Sequence, residues 1–133
     1  MPAYEIEIIL SRQLADCLSI PVFIIDTDGK LIFYNIPAEE VLGERFEETG
    51  EMPVEQWSVM FKPMDKDNRE IVPGELPLVK TLKDNLPYHK SFWIKSLKGQ
   101  IEKIALTSYP IINRENKFLG AVAMFWKIND HED

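Results

Sequence analysis

Two short apolar runs near the start of the chain dominate its hydrophobic pattern. Residues 20–25 (IPVFII) and 31–34 (LIFY) are rich in β-branched and aromatic side chains, which favour strands over helices. The segment DTDGK at 26–30 separates them, and its Asp-Gly step supplies the positive φ that a short turn requires. Neither run alternates with polar residues, so we predict a hairpin that is covered on both faces.

Helices are predicted on both sides of this hairpin. Residues 4–18 carry apolar side chains at the spacings of three and four that are typical of an amphipathic helix: Ile6, Ile9, Leu10, Leu14, Cys17 and Leu18. So broad a stripe needs cover from the sheet, from a second subunit or from both. We expect Cys17 to be buried on it and unreactive. Asn35 is placed to cap the next helix. Further helical segments are predicted at 37–42, 54–61 and 75–82.

Three strands are predicted to finish the domain, at 88–96, 100–112 and 117–128. Side-chain alternation sorts their residues onto two faces. The inward set is Phe92, Ile94, Ile104, Leu106, Ser108, Ala121, Ala123 and Phe125, and the outward set includes Trp93, Tyr109, Met124 and Trp126. The order of two strands, short helices and three strands predicts an α+β fold, in which a five-stranded antiparallel sheet carries its helices on one face.

Composition narrows the class of protein. A chain of 133 residues with 45% apolar content is expected to form one domain around one core. The net charge of −7 argues against nucleic acid as a partner, because phosphate binding needs a basic surface. The apolar run at 118–126 is too short to cross a bilayer as a helix, and no secretory signal precedes the first helix. The single cysteine fits a reducing compartment, so we expect a cytoplasmic protein without a membrane partner.

Charge is unevenly distributed along the chain. Residues 37–61 carry seven glutamates against one arginine, whereas residues 80–103 carry six lysines against two acidic residues. Two solvated faces are the plain interpretation of this pattern, and a docking role is the alternative.

Several short motifs, taken in order, resemble the PAS domains of signalling proteins. They are PVFIIDTDG at 21–29, YNIPAE at 34–39, LG at 42–43, GELPL at 74–78, TL at 81–82, YPI at 109–111 and FLGAV at 118–122. The resemblance implies a curled sheet whose concave face and helices enclose a ligand cavity, with an N-terminal helix or a partner subunit on the opposite face. It divides the chain into an N-terminal helix at 1–19, a PAS-like domain at 20–129 and an acidic tail at 130–133.

The same resemblance bears on cofactors. Heme-binding relatives hold the iron with a histidine from the helix that corresponds to residues 75–82, and this helix has none. Light-sensing relatives place a reactive cysteine after the hairpin, whereas Cys17 precedes it, and the expected wall offers Ile94, Ile104 and Phe125 rather than amides. Neither heme nor flavin is therefore expected, and the cofactor stays unknown. His89 and His131 lack the spacing of metal ligands, so no metal site is predicted.

The predicted site is a cavity rather than a set of acid–base groups. Its expected lining is Phe23, Ile25, Phe33, Trp57, Leu78, Leu82, Phe92, Ile94, Leu106, Ala121, Ala123 and Phe125. Trp57 is expected to close it from the irregular segment. Ser108 is the polar exception on the inward face, and no catalytic residue is predicted.

We therefore expect a non-catalytic sensory or regulatory module of signal transduction. It would form a homodimer through the N-terminal helix and the outer sheet face. A small apolar ligand in the cavity and a signalling-protein partner are left open. Two alternatives stand beside this hypothesis. One is a small enzyme of isomerase or hydratase type, which needs a buried titrating group facing the pocket. The other is an interaction domain with a solid core.

Overall fold

In the computed structural model, residues 5–60, 63–95 and 99–128 are described. The elements are α1 (Ile6–Cys17), β1 (Val22–Ile25), β2 (Leu31–Tyr34), α2 (Ile36–Leu42), α3 (Phe46–Thr49), α4 (Val54–Met60), a 3₁₀ turn (Pro73–Glu75), α5 (Pro77–Asp84), β3 (Tyr88–Lys95), β4 (Ile101–Ile112) and β5 (Phe118–Lys127). The predicted α+β fold class is confirmed. The predicted acidic tail at 130–133, with His131, lies outside the described residues, as do residues 61, 96 and 98 of the predicted segments.

All five strands form one antiparallel sheet in the order β2-β1-β5-β4-β3. The C-terminal strand β5 is central, and its Ala123 lies opposite Phe23 of β1 on one side and Ser108 of β4 on the other. The N-terminal hairpin is thereby joined to the three C-terminal strands. Each edge strand forms an isolated β-bridge with a residue outside the five strands. Met52 pairs with Leu31 of β2, and Met64 pairs with Trp93 of β3.

A bulge in the hairpin changes which side chains face inward. Ile24 lies opposite Phe33, but Ile25 lies opposite Leu31, so the β2 strand carries one extra residue. Leu31 and Tyr34 consequently pack in the inner core, whereas Ile32 and Phe33 both pack on the outer face. The prediction that Phe33 faces the cavity is wrong, because the bulge puts Phe33 on the outer face and Leu31 on the inner face.

The inner face of the sheet is covered by α2 to α5. Their apolar residues join those of the strands in one buried cluster, which includes Ala38, Leu42, Trp57, Leu76 and Leu78. Asn35 caps α2, since its Oδ1 accepts a hydrogen bond from the Ala38 amide at 3.2 Å. This predicted cap is confirmed, and Gly43 ends the same helix with a positive φ of 76°.

The outer face is covered by α1, which lies against β1, β4 and β5. Ile8 and Ala15 are the residues of α1 that are buried there. Gly120 permits a close approach of the chain at this point. A Cβ at residue 120 would lie 2.3 Å from the Ile25 carbonyl oxygen and 3.4 Å from Ile8 Cδ1. The helix therefore packs through small side chains and one isoleucine.

Most of the apolar stripe of α1 points away from the sheet. Ile6, Ile9, Leu10 and Leu14 are 59%, 41%, 55% and 55% exposed. Cys17 is also exposed, so the prediction that it is buried is wrong. Residue 17 lies nine positions, or about two and a half turns, from Ile8, and this spacing puts the two side chains on opposite faces of the helix.

Candidate functional site

The candidate site is an apolar cavity of about 50 Å³ between the inner sheet face and the helices α4 and α5. Its lining is Phe23, Leu31, Trp57, Pro63, Leu76, Pro77, Leu78, Phe92, Ile94, Ile104, Leu106, Ala123 and Phe125. Phe23 and Phe125 stack across neighbouring strands, with ring centroids 5.8 Å apart. Because no charged side chain of the described residues lies in this wall, those residues would recognise an occupant by shape and apolar contact.

The structure brings most of the predicted site residues together. Those in the wall are Phe23, Trp57, Leu78, Phe92, Ile94, Leu106, Ala123 and Phe125. Ile25 and Ala121 are in the inner core but outside the wall, and Leu82 packs against the edge of that core. Phe33 lies on the other side of the sheet, where its ring contacts Phe46 and the guanidinium of Arg12.

Five wall residues are absent from the predicted lining, namely Leu31, Pro63, Leu76, Pro77 and Ile104. Ile104 was expected on the inward face without being included in that lining, and Leu31 takes the inward place expected of Phe33, because of the bulge in β2. Pro63 comes from a segment without regular periodicity. Leu76 and Pro77 lie at the start of the predicted helix at 75–82, where strand alternation assigns no direction. The leucine and proline at the start of α5 are the one sequence signal that could have indicated these wall residues. The first turn of a helix can present both side chains to the sheet.

Trp57 is fixed over the cavity by a hydrogen bond to the hairpin turn. Its indole Nε1 donates to the Gly29 carbonyl oxygen at 2.8 Å, and the side chain is buried. Gly29 has a φ of 84°, and a Cβ at this position would lie 2.8 Å from Leu82 Cδ2. The turn therefore packs tightly against both α4 and α5, and Leu82 is held by the turn rather than by the cavity.

Two buried hydroxyl groups belong to residues that closely follow wall residues along the chain. The side-chain oxygens of Thr81 in α5 and Ser108 in β4 are 2.7 Å apart, and both residues are completely buried. Thr81 follows Leu78 by one helical turn, and Ser108 follows Leu106 by two residues. Ser108, the polar exception on the inward face, thus has a partner that satisfies it.

Among the described residues, the titratable side chains lie outside the wall of this cavity. Burial raises the pKa of Tyr34, whose hydroxyl donates to the Glu44 carbonyl oxygen at 3.1 Å and lies 2.9 Å from Thr49 Oγ1. Burial also raises the pKa of Tyr109 on the outer face. Among the described residues, no three His, Cys, Asp or Glu side chains are grouped closely enough to hold a metal ion.

Sequence comparisons find no relatives, whereas structural comparisons find many. No protein-family model matches the chain. No curated protein matches it either. The PAS domain of a protein from Colwellia psychrerythraea superposes with a TM-score of 0.62 at 17% identity, covering 91% of this chain and 96% of the other. The LOV protein of Rhodobacter sphaeroides gives a TM-score of 0.70 at 11% identity, covering 95% of this chain and 70% of the other.

A LOV domain of the blue-light activated histidine kinase from Erythrobacter litoralis gives a TM-score of 0.63 at 15% identity. The superposition covers 85% of this chain and 99% of that LOV domain. The chain has the PAS fold.

The residues of this PAS fold do not fit a flavin of the kind that a LOV likeness suggests. The wall of the cavity is apolar, and its volume of about 50 Å³ is far below the roughly 300–1,000 Å³ of typical cofactor pockets. Cys17 lies on α1, across the sheet from the cavity.

None of the described helices has the length and apolar character that crossing a bilayer would require.

Proposed function

We propose that this PAS domain is a non-catalytic sensory or regulatory module of signal transduction that forms a homodimer through α1 and the outer sheet face. The observation that carries the proposal is the exposed apolar stripe of α1, made of Ile6, Ile9, Leu10 and Leu14. The same helix packs on the sheet with its opposite face. It is therefore held in place while its most apolar side remains available.

A second copy of the chain suits this stripe. A two-fold interface presents the same patch from both partners, and an apolar stripe is complementary to itself. Burial of apolar area stabilises such a contact by roughly 25 cal/mol per Å². The stripe is also contiguous along α1, because its residues recur at spacings of three and four.

The outer sheet face extends this proposed interface. The α1 helix packs with Ile24, Ile32 and Val122 and lies against β1, β4 and β5. Trp126 is 38% exposed there, and its ring lies 6.3 Å from that of His89. A signalling-protein partner is the alternative occupant of this region. We propose a cytoplasmic location for the module, because its single cysteine fits a reducing compartment.

The cavity supports a second function, the binding of a small apolar ligand. About 50 Å³ of apolar space accommodates a molecule of only a few heavy atoms, and cavities with such walls stay dry and take up apolar guests. An enzyme of isomerase or hydratase type would need a titrating group in the wall. The wall residues and the paired hydroxyls of Thr81 and Ser108 favour binding over catalysis.

The oligomeric state tests the main proposal. We expect the wild-type chain to be dimeric by analytical ultracentrifugation and Leu10→Glu to be monomeric, because a carboxylate would be buried in the interface. Ile36→Glu is the matched control, since Ile36 is an exposed isoleucine at the start of α2 and is 68% exposed. A wild-type chain that stays monomeric at millimolar concentration, or a Leu10→Glu chain that stays dimeric, would contradict the proposal.

A further inference from the structure

The free edge of β3 carries backbone groups that the described chain leaves unpaired. Trp93 exchanges two hydrogen bonds with Met64, one from the Met64 amide at 2.7 Å and one from the Trp93 amide at 3.0 Å. In an antiparallel ladder, alternate residues point their N–H and C=O groups to the same side. The backbone groups of His89 and Ser91 therefore point to the same edge, and no backbone group within 5–60, 63–95 or 99–128 pairs with them there.

The segment that pairs with Trp93 turns away after one residue. Asp65 Oδ1 accepts hydrogen bonds from the amides of Asp67 and Arg69, at 2.8 and 3.0 Å, and this turn lifts the chain off the edge. Beyond it an open groove of about 500 Å³ runs along β3. The chain itself thus shows that the edge accepts an extended segment, and the groove offers the space to continue one.

Lysines flank this groove on both faces of the sheet. Lys90 pairs with Leu106 and lies on the inner side, whereas Lys103 pairs with Trp93 and lies on the outer side, with its Nζ 5.3 Å from the Trp93 ring centroid. Lys66 adds a third positive charge from the turn. Among the described residues, no carboxylate forms an ion pair with Lys90.

Two carboxylates limit where a negative partner can lie. Asp65 and Asp67 line the end of the groove that is next to Met64. A backbone hydrogen bond from Arg69 is the main cause that lowers the pKa of Asp65, so this group is negative at neutral pH. Acidic residues of a partner are therefore expected beside Lys90 and Lys103, away from the turn.

We propose that this groove binds an extended acidic peptide segment, which adds a strand to β3 beside Ser91 and His89. The backbone groups of the edge supply the pairing. Side chains of the added strand alternate between the two faces, so one carboxylate meets Lys90 and its neighbour meets Lys103. The proposal goes beyond the dimer and the cavity and requires neither.

The probe is a labelled peptide in which pairs of adjacent glutamates alternate with pairs of valines, so that carboxylates lie on both faces of the added strand. A peptide of the same length and pattern with lysine in place of glutamate is its control. We expect fluorescence anisotropy to show binding of the glutamate peptide only. Ser91→Pro removes the outward N–H, and proline is tolerated on an edge strand when its missing donor faces outward. Ser91→Ala keeps the N–H. We expect Ser91→Pro and Lys90→Glu each to weaken binding about tenfold or more, with Ser91→Ala and the distant Lys117→Glu near wild type.

Nuclear magnetic resonance of the wild-type chain provides a test that does not depend on a variant. On addition of the glutamate peptide, the amides of His89 and Ser91 should shift and exchange more slowly with water. Equal binding of both peptides would overturn the proposal. So would an unchanged affinity for folded Ser91→Pro, or unshifted His89 and Ser91 amides with the peptide bound.

Discussion

The two faces of the sheet are covered in different ways. On the inner face, α2 to α5 complete a core in which Ile25 and Ala121 are fully buried and Trp57 is only 5% exposed. On the outer face, α1 buries Ile8 and Ala15 but leaves Leu10 and Leu14 more than half exposed. The inner layer buries its own apolar surface, whereas the outer layer leaves part of its apolar surface exposed. This exposed part is the surface that we propose for the second copy of the chain.

Asn35 connects the two faces. Its side chain accepts hydrogen bonds from the amides of Val22 and Ala38 and donates to the carbonyl oxygens of Ala15 and Ile20, at 2.9–3.2 Å. The C-terminal end of α1, strand β1 and the start of α2 are thus held by one buried amide. Any movement of α1 relative to the inner layer must stretch these bonds.

Loss of Asn35 should therefore have the largest effect. Asn35→Ala removes four hydrogen bonds to backbone groups, three of them buried, and we expect the free energy of unfolding to fall by about 3–5 kcal/mol. Chemical denaturation measures it. Asn113→Ala is the matched control, because Asn113 accepts from the amides of Glu115 and Lys117 in an exposed turn. We expect it to cost about 1 kcal/mol, and equal losses would mean that Asn35 is only a turn residue.

The two faces of α1 should differ when single side chains are shortened. Ile8→Ala opens a hole under the helix and should cost about 2–4 kcal/mol of unfolding free energy. Leu10→Ala removes an exposed side chain and should change it by less than about 0.5 kcal/mol, provided that both are measured at a concentration where the protein is monomeric. Should Leu10→Ala cost as much as Ile8→Ala in the monomer, α1 would be packed differently from the arrangement described above.

Substitutions of two alanines of β5 that share the inner face can distinguish an open cavity from a solid core. Ala123 lines the cavity and Ala121 does not, although both are buried. Overpacking costs about 1–3 kcal/mol, and we expect Ala123→Leu to lie at the low end and Ala121→Leu at the high end. Xenon, an apolar guest small enough for a cavity of about 50 Å³, should raise the thermal midpoint of the wild-type chain and of Ala121→Leu, but not that of Ala123→Leu. No rise in the wild-type midpoint would identify a solid core.

Much of the fold follows from the sequence because its strands are regular. Phe92, Ile94 and Phe125 alternate with polar or outward residues, and each lies in the cavity wall as alternation requires. The inward position of Leu31 in place of Phe33 could not be predicted. It depends on one extra residue in β2, which the amino-acid composition of the strand does not indicate. Pro63 has no periodic neighbours and is placed only by tertiary packing.

The face of α1 that packs on the sheet could not be predicted from the sequence. Helical periodicity finds the most apolar face, and here that face points outward. The packed face is instead made of Ala15, Ile8 and the half-buried Ser11, whose hydroxyl donates to the Glu7 carbonyl oxygen at 2.8 Å. Small side chains let a helix approach a sheet closely, so the face that packs need not be the most hydrophobic one. Periodicity alone cannot distinguish these two faces.

Cys17 offers the finest test of that distinction, since it lies among the exposed residues of α1 without being needed for packing. In dilute solution we expect a thiol reagent to label it stoichiometrically in the folded chain, because reagent access follows exposure. As the protein concentration rises and the dimer forms, the rate should fall. Leu10→Glu, which we expect to stay monomeric, should be labelled at a rate independent of concentration, and Cys17→Ser should take up no label. Resistance of Cys17 to labelling at every concentration would restore the buried position that the apolar spacing predicted, and α1 would then present another face to the sheet.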